Sequence, residues 1–227
     1  MSKIIIIPTS HIARESIENV EKAVKKERPE CLAVELDIKR YYAFRQHDRI
    51  GLADVLKTLG LWTGLLYVLL KKMQEYLGTK TGILPGSEMV HAVDVAIKHG
   101  MKVAFIDRPI EKTFMKIKSL DLTEKLKLML MLVVSFISLY YPLKRGERVD
   151  LNKVPKKGLI KEAMNYMKTK LPKFYKILVE ERDEYMAKNL DDLSDKFEKI
   201  VCVVGAGHVE GLKKLLNNRN VKFTGHV

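Results

Sequence analysis

Two histidines follow short apolar runs near opposite ends of the chain. His11 comes after the run Ile4 to Ile7 and a short turn, and His208 comes after Val201 to Val204 and the turn Gly205-Ala206-Gly207. Runs of β-branched and small apolar residues are typical of strands covered on both faces, and a helix-like pattern follows each histidine. The sequence therefore predicts both imidazoles at the carboxyl ends of buried strands, where they can bind a metal or transfer a proton.

Charged residues follow two further apolar runs. Glu35 and Asp37 come after residues 31–34, and Asp107 and Arg108 come after residues 102–106. The carboxyl ends of parallel strands form one edge where ligands bind, so we expect these side chains to converge there with the histidines. A carboxylate this close to a buried strand needs a partner, which predicts an arginine or a metal ion beside Glu35.

Two chemistries and one structural alternative fit these residues. His11, Glu35 and His208 could hold manganese, cobalt or zinc with an open position for water, which the metal would acidify toward neutrality. In metal-free hydrolysis one histidine would be the general base, a carboxylate would orient it, and Arg40 or Arg182 would stabilise negative charge. Alternatively, Glu35 and an arginine form a purely structural ion pair.

The remaining histidines and one charged triplet have plainer interpretations. His47 and His99 fit surface positions, whereas His91 stays open because it lies about one turn after Glu88. The triplet Glu181-Arg182-Asp183 fits one turn of a solvated helix. Within it we predict Arg182 as the inward member, because one arginine can serve several carboxylates.

Nucleotide binding is not predicted. Gly205-Ala206-Gly207 is half of a dinucleotide fingerprint, but Glu210 stands where the third glycine would be and Gly211 is one place late. The sequence contains no Walker, C-x-x-C, H-E-x-x-H or G-x-S-x-G pattern.

Periodicity and turn residues predict an α/β fold, with α+β as the alternative. A first β-α-β unit has strands at 4–8 and 31–36 around a helix at 13–28, and a last unit has strands at 198–204 and 221–223 around a helix at 209–216. Between them a helix capped by Ser87 leads into a strand at 102–106. We predict a mostly parallel or mixed sheet of about four to five strands, within a single domain over 1–227. Helical insertions are expected at about 50–84 and 120–175.

Two apolar stretches, 52–77 and 126–141, are predicted as helices within those insertions. Each falls short of the roughly 18 apolar residues of a membrane span. They fit core or dimer-interface helices, with contact to a membrane surface as the alternative. Residues 143–158 read as a connector, and a long helix is predicted at 173–193.

Composition limits the class of protein and its partners. The 227 residues carry a formal net charge of +13, yet the lysines are spread over nearly every amphipathic segment. No finger, RNA-recognition signature or helix-turn-helix spacing is present, so nucleic-acid binding is not predicted, whereas attraction to an acidic membrane stays open. Cys31 and Cys202 lie in apolar runs and fit buried free thiols. With no leader-like N-terminus, these features predict a cytoplasmic protein, with peripheral membrane contact as an option.

Several segments together, in this order and spacing, resemble the TraB/PrgY family over nearly the whole chain. They are Thr9-Ser10-His11, Glu35-Leu36-Asp37-Ile38-Lys39-Arg40, Pro85-Gly86-Ser87-Glu88-Met89, Asp107-Arg108, Glu181-Arg182-Asp183-Glu184-Tyr185-Met186 and Gly205-Ala206-Gly207-His208. That family looks related to the Tiki metalloproteases and, more distantly, to erythromycin-esterase-like and ChaN-like proteins.

The resemblance implies a hydrolase-like site built around two G-x-x-H motifs and acidic partners, among them Glu35 and Glu88. His208 keeps its motif glycine at Gly205, whereas Pro8 stands where the glycine of the His11 motif would be. Tiki-like proteins are taken as divalent-metal-dependent peptidases, and the PrgY branch is associated with blocking a peptide pheromone by destruction or sequestration. Longer members continue into membrane helices, and no such C-terminal domain is expected in a chain of this length.

Two functions from different classes follow. The first is a divalent-metal-dependent hydrolase acting on a peptide, with His11, Glu35 and His208 around the metal and Arg40 or Arg182 steadying the site. The second is a non-catalytic peptide-binding or membrane-associated module. A homodimer through the helix at 126–141 is a further option.

Overall fold

Strands and helices alternate near the two ends of the chain, and runs of consecutive helices separate the second strand from the third and the third from the fourth. The computed structural model describes residues 2–9, 14–46, 60–82, 86–140 and 157–224. The strands are β1 (Lys3–Thr9), β2 (Cys31–Val34), β3 (Lys102–Phe105), β4 (Lys199–Gly205) and β5 (Asn220–Phe223). The helices are α1 (Arg14–Glu27), α2 (Ile38–Gln46), α3 (Leu61–Thr81), α4 (Ser87–Lys98), α5 (Ile110–Lys118), α6 (Leu122–Tyr140), α7 (Lys157–Lys170), α8 (Pro172–Tyr175), α9 (Glu181–Ser194) and α10 (Val209–Leu215).

The five strands form one sheet in the order β3-β2-β4-β1-β5, and every pairing is parallel. This confirms the predicted α/β class. The strands of the first β-α-β unit are not neighbours, however, because β4 lies between β1 and β2. Glu35, which follows β2, therefore lies beside the end of β4 and not beside the end of β1 that precedes His11.

Each face of the sheet is covered by helices. On one face α1 and α4 pack Val20, Val24 and Met89 against the odd-numbered residues of β1, such as Ile5. On the other face α9 and α10 cover the even-numbered residues, such as Ile4. Alternating side chains of a strand point to opposite faces, so a strand that is apolar at every position is buried on both sides.

The apolar helices form a separate cluster beside the sheet. Leu66 of α3, Leu128 of α6 and Ile117 of α5 pack together with Leu171 and Phe174 around the start of α8. The inward faces of α3 and α6 are thus core, as the sequence predicts. In the described part of the chain, no helix is long and apolar enough to cross a membrane.

Local structure departs from the sequence predictions at three places. Helix α5 is not predicted, and α4 begins after Gly86 rather than being capped by the side chain of Ser87. Gly86 has φ +90°, and a Cβ there would lie 3.0 Å from the Phe44 ring, so the turn requires glycine. The helix predicted at 173–193 is interrupted by a π-helical turn over Lys176–Glu180. Residues 52–59 and 143–156, also given predictions, lie outside the described ranges.

Candidate functional site

Arg182 joins the ends of two neighbouring strands. Its Nε donates to Asp107 Oδ1 at 2.9 Å and its Nη2 donates to Asp107 Oδ2 at 2.8 Å, a bidentate pair just beyond β3. Nη2 also donates to Oε1 of Glu35 just beyond β2. Glu35 Oε2 accepts a hydrogen bond of 2.6 Å from the backbone N–H of Gly205 at the end of β4. The predicted inward arginine thus serves two buried carboxylates at the carboxyl edge of the sheet.

His208 completes this arrangement from β4. A 3₁₀ turn, Ala206–His208, follows the strand and turns the buried imidazole toward the sheet edge. Its Nδ1 lies 2.6 Å from Asp183 Oδ1, and its Nε2 lies 3.2 Å from Glu35 Oε1 and 3.1 Å from Arg182 Nη1. Nε2 either donates to Glu35 when protonated or accepts from Arg182 when neutral, so it makes one of these two bonds at a time.

Electrostatics favour the protonated imidazole. Burial alone would lower the pKa of His208, but the negative charge of Glu35 and the hydrogen bonds to Asp183 and Glu35 outweigh it and raise that pKa to about 9. Burial likewise opposes the charge on Arg182, yet the carboxylates of Glu35 and Asp107 raise its pKa further above the ordinary range. Both cations are therefore charged at neutral pH in this structure.

The π-helical turn before α9 sets the position of Arg182. In that turn the N–H of Glu181 bonds to the carbonyl of Lys176, five residues back, so the Ile177 carbonyl is open to another donor. Arg108 Nη2 donates a hydrogen bond of 2.9 Å to the Ile177 carbonyl, and Arg182 Nη1 donates one of 3.2 Å to the Leu178 carbonyl. Two arginines thus anchor to the carbonyls of the irregular turn.

Close packing of α10 on α9 constrains Asp183. Gly211 of α10 lies directly against the carboxylate, and a Cβ at position 211 would overlap Asp183 Oδ2. Only glycine permits this approach without moving the Asp183 side chain away from His208. Gly211 therefore has a packing role, although the sequence draws attention to it only as a misplaced dinucleotide glycine.

The other predicted residues are placed as follows. Arg40 donates to Asp107 Oδ2 at 3.3 Å from the partly exposed rim of the site. Asp37 accepts from the backbone N–H groups of Lys39 and Arg40 and so caps α2. Glu88 is buried in the first turn of α4.

Arg108 turns away from the strand edge. Its Nη1 donates to Glu181 at 2.7 Å and its Nε to Thr113 at 3.2 Å. His91 pairs with Glu21 on the neighbouring helix at 2.9 Å, and His99 is exposed. His11 and His47 lie outside the described residues.

Six side chains thus form what we call the strand-end cluster: Glu35, Arg40, Asp107, Arg182, Asp183 and His208. The sequence predicts all of them at strand ends or as inward partners except Asp183. Its adjacency to Arg182 is a weak signal, because consecutive residues of a helix point in different directions. The contacts that Asp183 makes with His208 and Gly211 in the folded chain show that it belongs to the site.

A cavity of about 720 Å³ opens beside the cluster. Its wall includes Asp183 and Gly207 from the site, Pro8 from β1 and Phe223 from β5. Lysines 161 and 168 of α7 add positive charge, and Met164 of the same helix contacts the position where Gly207 would carry a Cβ. The cavity therefore joins the carboxyl ends of β1, β4 and β5 with a mixed apolar and charged surface.

Two atoms of the cluster lie at the separation that two ligands of one metal ion would have. Glu35 Oε1 and His208 Nε2 are 3.2 Å apart, close to the roughly 3.4 Å between two ligands at about 2.1 Å from a tetrahedral ion. Within the described ranges no group of three or more histidine, cysteine or acidic side chains is arranged to hold a metal ion. A third ligand would have to come from residues beyond those ranges, where His11 lies.

The fold and site define an α/β protein with an open parallel sheet and a buried charged cluster at its carboxyl edge. The chain belongs to the TraB/PrgY/gumN family, whose model matches residues 1–224. This confirms the resemblance drawn from the motifs.

Similar proteins come from an archaeon and from mammals. The "Uncharacterized protein MJ1365" of Methanocaldococcus jannaschii is 35% identical over 228 residues, which is 96% of this chain and 55% of that protein. The mouse and human TraB domain-containing proteins are 27% and 26% identical over 245 residues, 94% of this chain and 62% of each relative. The chain thus spans between about half and two thirds of the length of these relatives.

Proposed function

We propose that this chain is a hydrolase that uses a divalent metal ion, manganese, cobalt or zinc, and cleaves peptide-like substrates. The observation that supports this most is the 3.2 Å separation of two buried atoms of ligand type, Glu35 Oε1 and His208 Nε2. Asp183, which bonds to the same imidazole, lines the neighbouring cavity. His11, which follows β1, is the proposed third ligand. Imidazole and carboxylate are ligands of these metals, and an open position would admit water.

The described side chains would orient and stabilise the reacting groups. The ion would lower the pKa of a bound water toward neutrality. Asp183 fixes the His208 ring through Nδ1, and the Gly205 N–H fixes Glu35. Arg182, together with Arg40 at the rim of the site, would stabilise negative charge on a substrate oxygen. Because Arg182 and the protonated His208 Nε2 both donate to Glu35 Oε1, binding a cation there requires the guanidinium to withdraw and the imidazole to lose its Nε2 proton.

The cavity supports a peptide as substrate. A volume of about 720 Å³ accommodates several residues, and its mixed lining offers both apolar and charged contacts. The resemblance of the motifs to the TraB/PrgY family, which looks related to the Tiki metalloproteases, points the same way, and it adds Glu88 as a proposed acidic partner. The buried free thiols of Cys31 and Cys202 support a reducing, cytoplasmic location as part of this proposal.

Metal content and peptide cleavage test the proposal together. Protein purified without chelator is expected to carry about one equivalent of metal by elemental analysis, and His208→Ala, Glu35→Gln and His11→Ala should each lose at least about tenfold in affinity. His99→Ala, which removes an exposed histidine, is the matched control and should retain the metal. If the wild type binds none of the three metals, and His208→Ala leaves any peptide cleavage intact, the proposal is wrong.

A non-catalytic peptide-binding module is the second candidate. It is favoured by the charge balance of the strand-end cluster, where Arg40, Arg182 and protonated His208 face three carboxylates without any added ion. Calorimetry with a peptide library separates the two functions. If the protein binds a peptide without cleaving it, and a chelator does not change the affinity, the peptide-binding module is favoured over the hydrolase.

A further inference from the structure

Helix α6 carries an apolar stripe on its solvent side. Leu122, Leu126 and Leu130 are 70%, 60% and 65% exposed, and Val133 and Val134 continue the stripe at 38% and 51%. Spacings of four and three residues place these side chains on one arc of about 120° along the helix. The opposite side of α6 is already used, because Leu128 packs into the cluster with Leu66 and Phe174.

Positive charge borders this stripe on both sides. At 100° per residue, Lys125 and Lys127 fall on opposite edges of the apolar arc, and exposed Lys118 ends the preceding helix. The only acidic residue of α6 is Glu124, which is buried and accepts hydrogen bonds from the Lys173 and Phe174 N–H groups. The outward face of this helix therefore presents leucine, valine and lysine without a compensating carboxylate.

We propose that this face of α6 docks on an anionic lipid bilayer surface, with the leucines in the interface and the lysines at the phosphate level. An apolar arc with lysine edges is the pattern of helices that lie in the plane of a membrane. Lysines near an anionic surface each contribute favourable electrostatic energy, which a chain of net charge +13 reinforces. A second copy of the chain fits this face less well. Two such faces would bring lysines together at the rim of the interface, and α6 has no exposed carboxylate to pair with them.

Vesicle sedimentation with the full 227-residue chain tests this proposal. We expect pelleting with vesicles of phosphatidylcholine containing 30 mol% phosphatidylglycerol, and at least about tenfold weaker partitioning to pure phosphatidylcholine. Leu126→Glu/Leu130→Glu should reduce binding to the anionic vesicles at least about tenfold, and Lys125→Glu/Lys127→Glu should reduce it and weaken its salt dependence.

Ile97→Glu is the matched control. Ile97 is 59% exposed on α4, so the substitution adds one negative charge, half of that in Leu126→Glu/Leu130→Glu, at another exposed apolar position. It should leave vesicle binding within about twofold of the wild type. The substituted positions are exposed except Lys125, which is half-buried with its ammonium 5.5 Å from the centroid of the Trp62 ring. Circular dichroism with a thermal melt therefore establishes that each variant folds as the wild type does.

Three results would overturn the proposal. The first is a wild type that does not pellet with anionic vesicles. The second is a Leu126→Glu/Leu130→Glu variant that pellets as the wild type does. The third is a wild-type dimer by sedimentation equilibrium that this double variant converts to monomer without a change in vesicle binding, which would assign the stripe to self-association. Each result is independent of metal binding and peptide cleavage, so the docking surface can fail without affecting the proposed hydrolase.

Discussion

Asp183 reaches His208 because residue 211 is glycine. Gly211→Ala is expected to push the Asp183 carboxylate away from the imidazole and to lower the free energy of unfolding by about 1–3 kcal/mol, since the new Cβ overlaps Oδ2. Urea denaturation measures the change. Gly158→Ala in α7 is the control, because its Cβ would meet nothing within 4 Å, and it should leave stability unchanged or raise it by up to about 1 kcal/mol. Equal effects of the two substitutions would contradict the packing role of Gly211.

The buried thiol of Cys31 gives a pH-dependent prediction at the same scale. Burial raises its pKa to about 11, whereas an unfolded thiol titrates near 8.5. Between these values the unfolded chain loses a proton that the native chain keeps, so this group's contribution to stability is present below about pH 8.5 and is lost as the pH rises toward 11.

The measurement is the urea midpoint at pH 7.5 and at pH 9.5. The wild type should lose more stability between the two than Cys31→Ala does, because the variant lacks the titrating thiol. Comparing each protein with itself at pH 7.5 removes the cost of the smaller side chain. Identical losses would show that the thiol does not titrate with a raised pKa.

Among the helices, α8 depends on a side chain from α6. Glu124 Oε1 accepts from the Lys173 N–H at 2.9 Å and Oε2 from the Phe174 N–H at 3.1 Å, which caps the short helix that leads into the π-helical turn and Arg182. Glu124→Ala is expected to cost about 1–2 kcal/mol, as for other lost helix caps, and Glu124→Gln less, because the amide keeps one acceptor.

Chemical denaturation of these two variants beside Glu162→Ala tests the cap. Glu162 is exposed on α7, so its removal should change the free energy of unfolding by no more than about 0.5 kcal/mol. A Glu124→Ala protein as stable as Glu162→Ala would show that α8 needs no cap from α6.

For the whole molecule, the strand order predicts where the native state opens last. β4 lies in the middle of the sheet with β2 and β1 hydrogen-bonded on either side, whereas β5 is an edge strand. Hydrogen exchange followed by mass spectrometry should find the amides of Val201 to Val203 in the slowest class and those of β5 exchanging faster. Similar protection of β4 and β5 would contradict this order of stability.

Much of the candidate site could be predicted from its residue types and positions. Charged residues placed after apolar runs indicate strand ends, which is why Glu35, Asp107 and His208 are predicted at one edge of the sheet. Asp183 could not be found in this way, because it lies in mid-helix and its role depends on the approach of α10. The π-helical turn at 176–180 also has no sequence signal of its own, since its residues fit a regular amphipathic helix.

The sequence by itself determined the α/β class, most strands and helices, and the carboxyl-edge position of the charged residues, because hydrophobic periodicity records which face of each element is buried. Only the tertiary structure decided which strands are neighbours. Periodicity carries no information about strand order, so the insertion of β4 between β1 and β2 could not be read from it. That insertion brings His208 to Glu35, beside the point where Arg182 binds Glu35 and Asp107, and this arrangement defines the site.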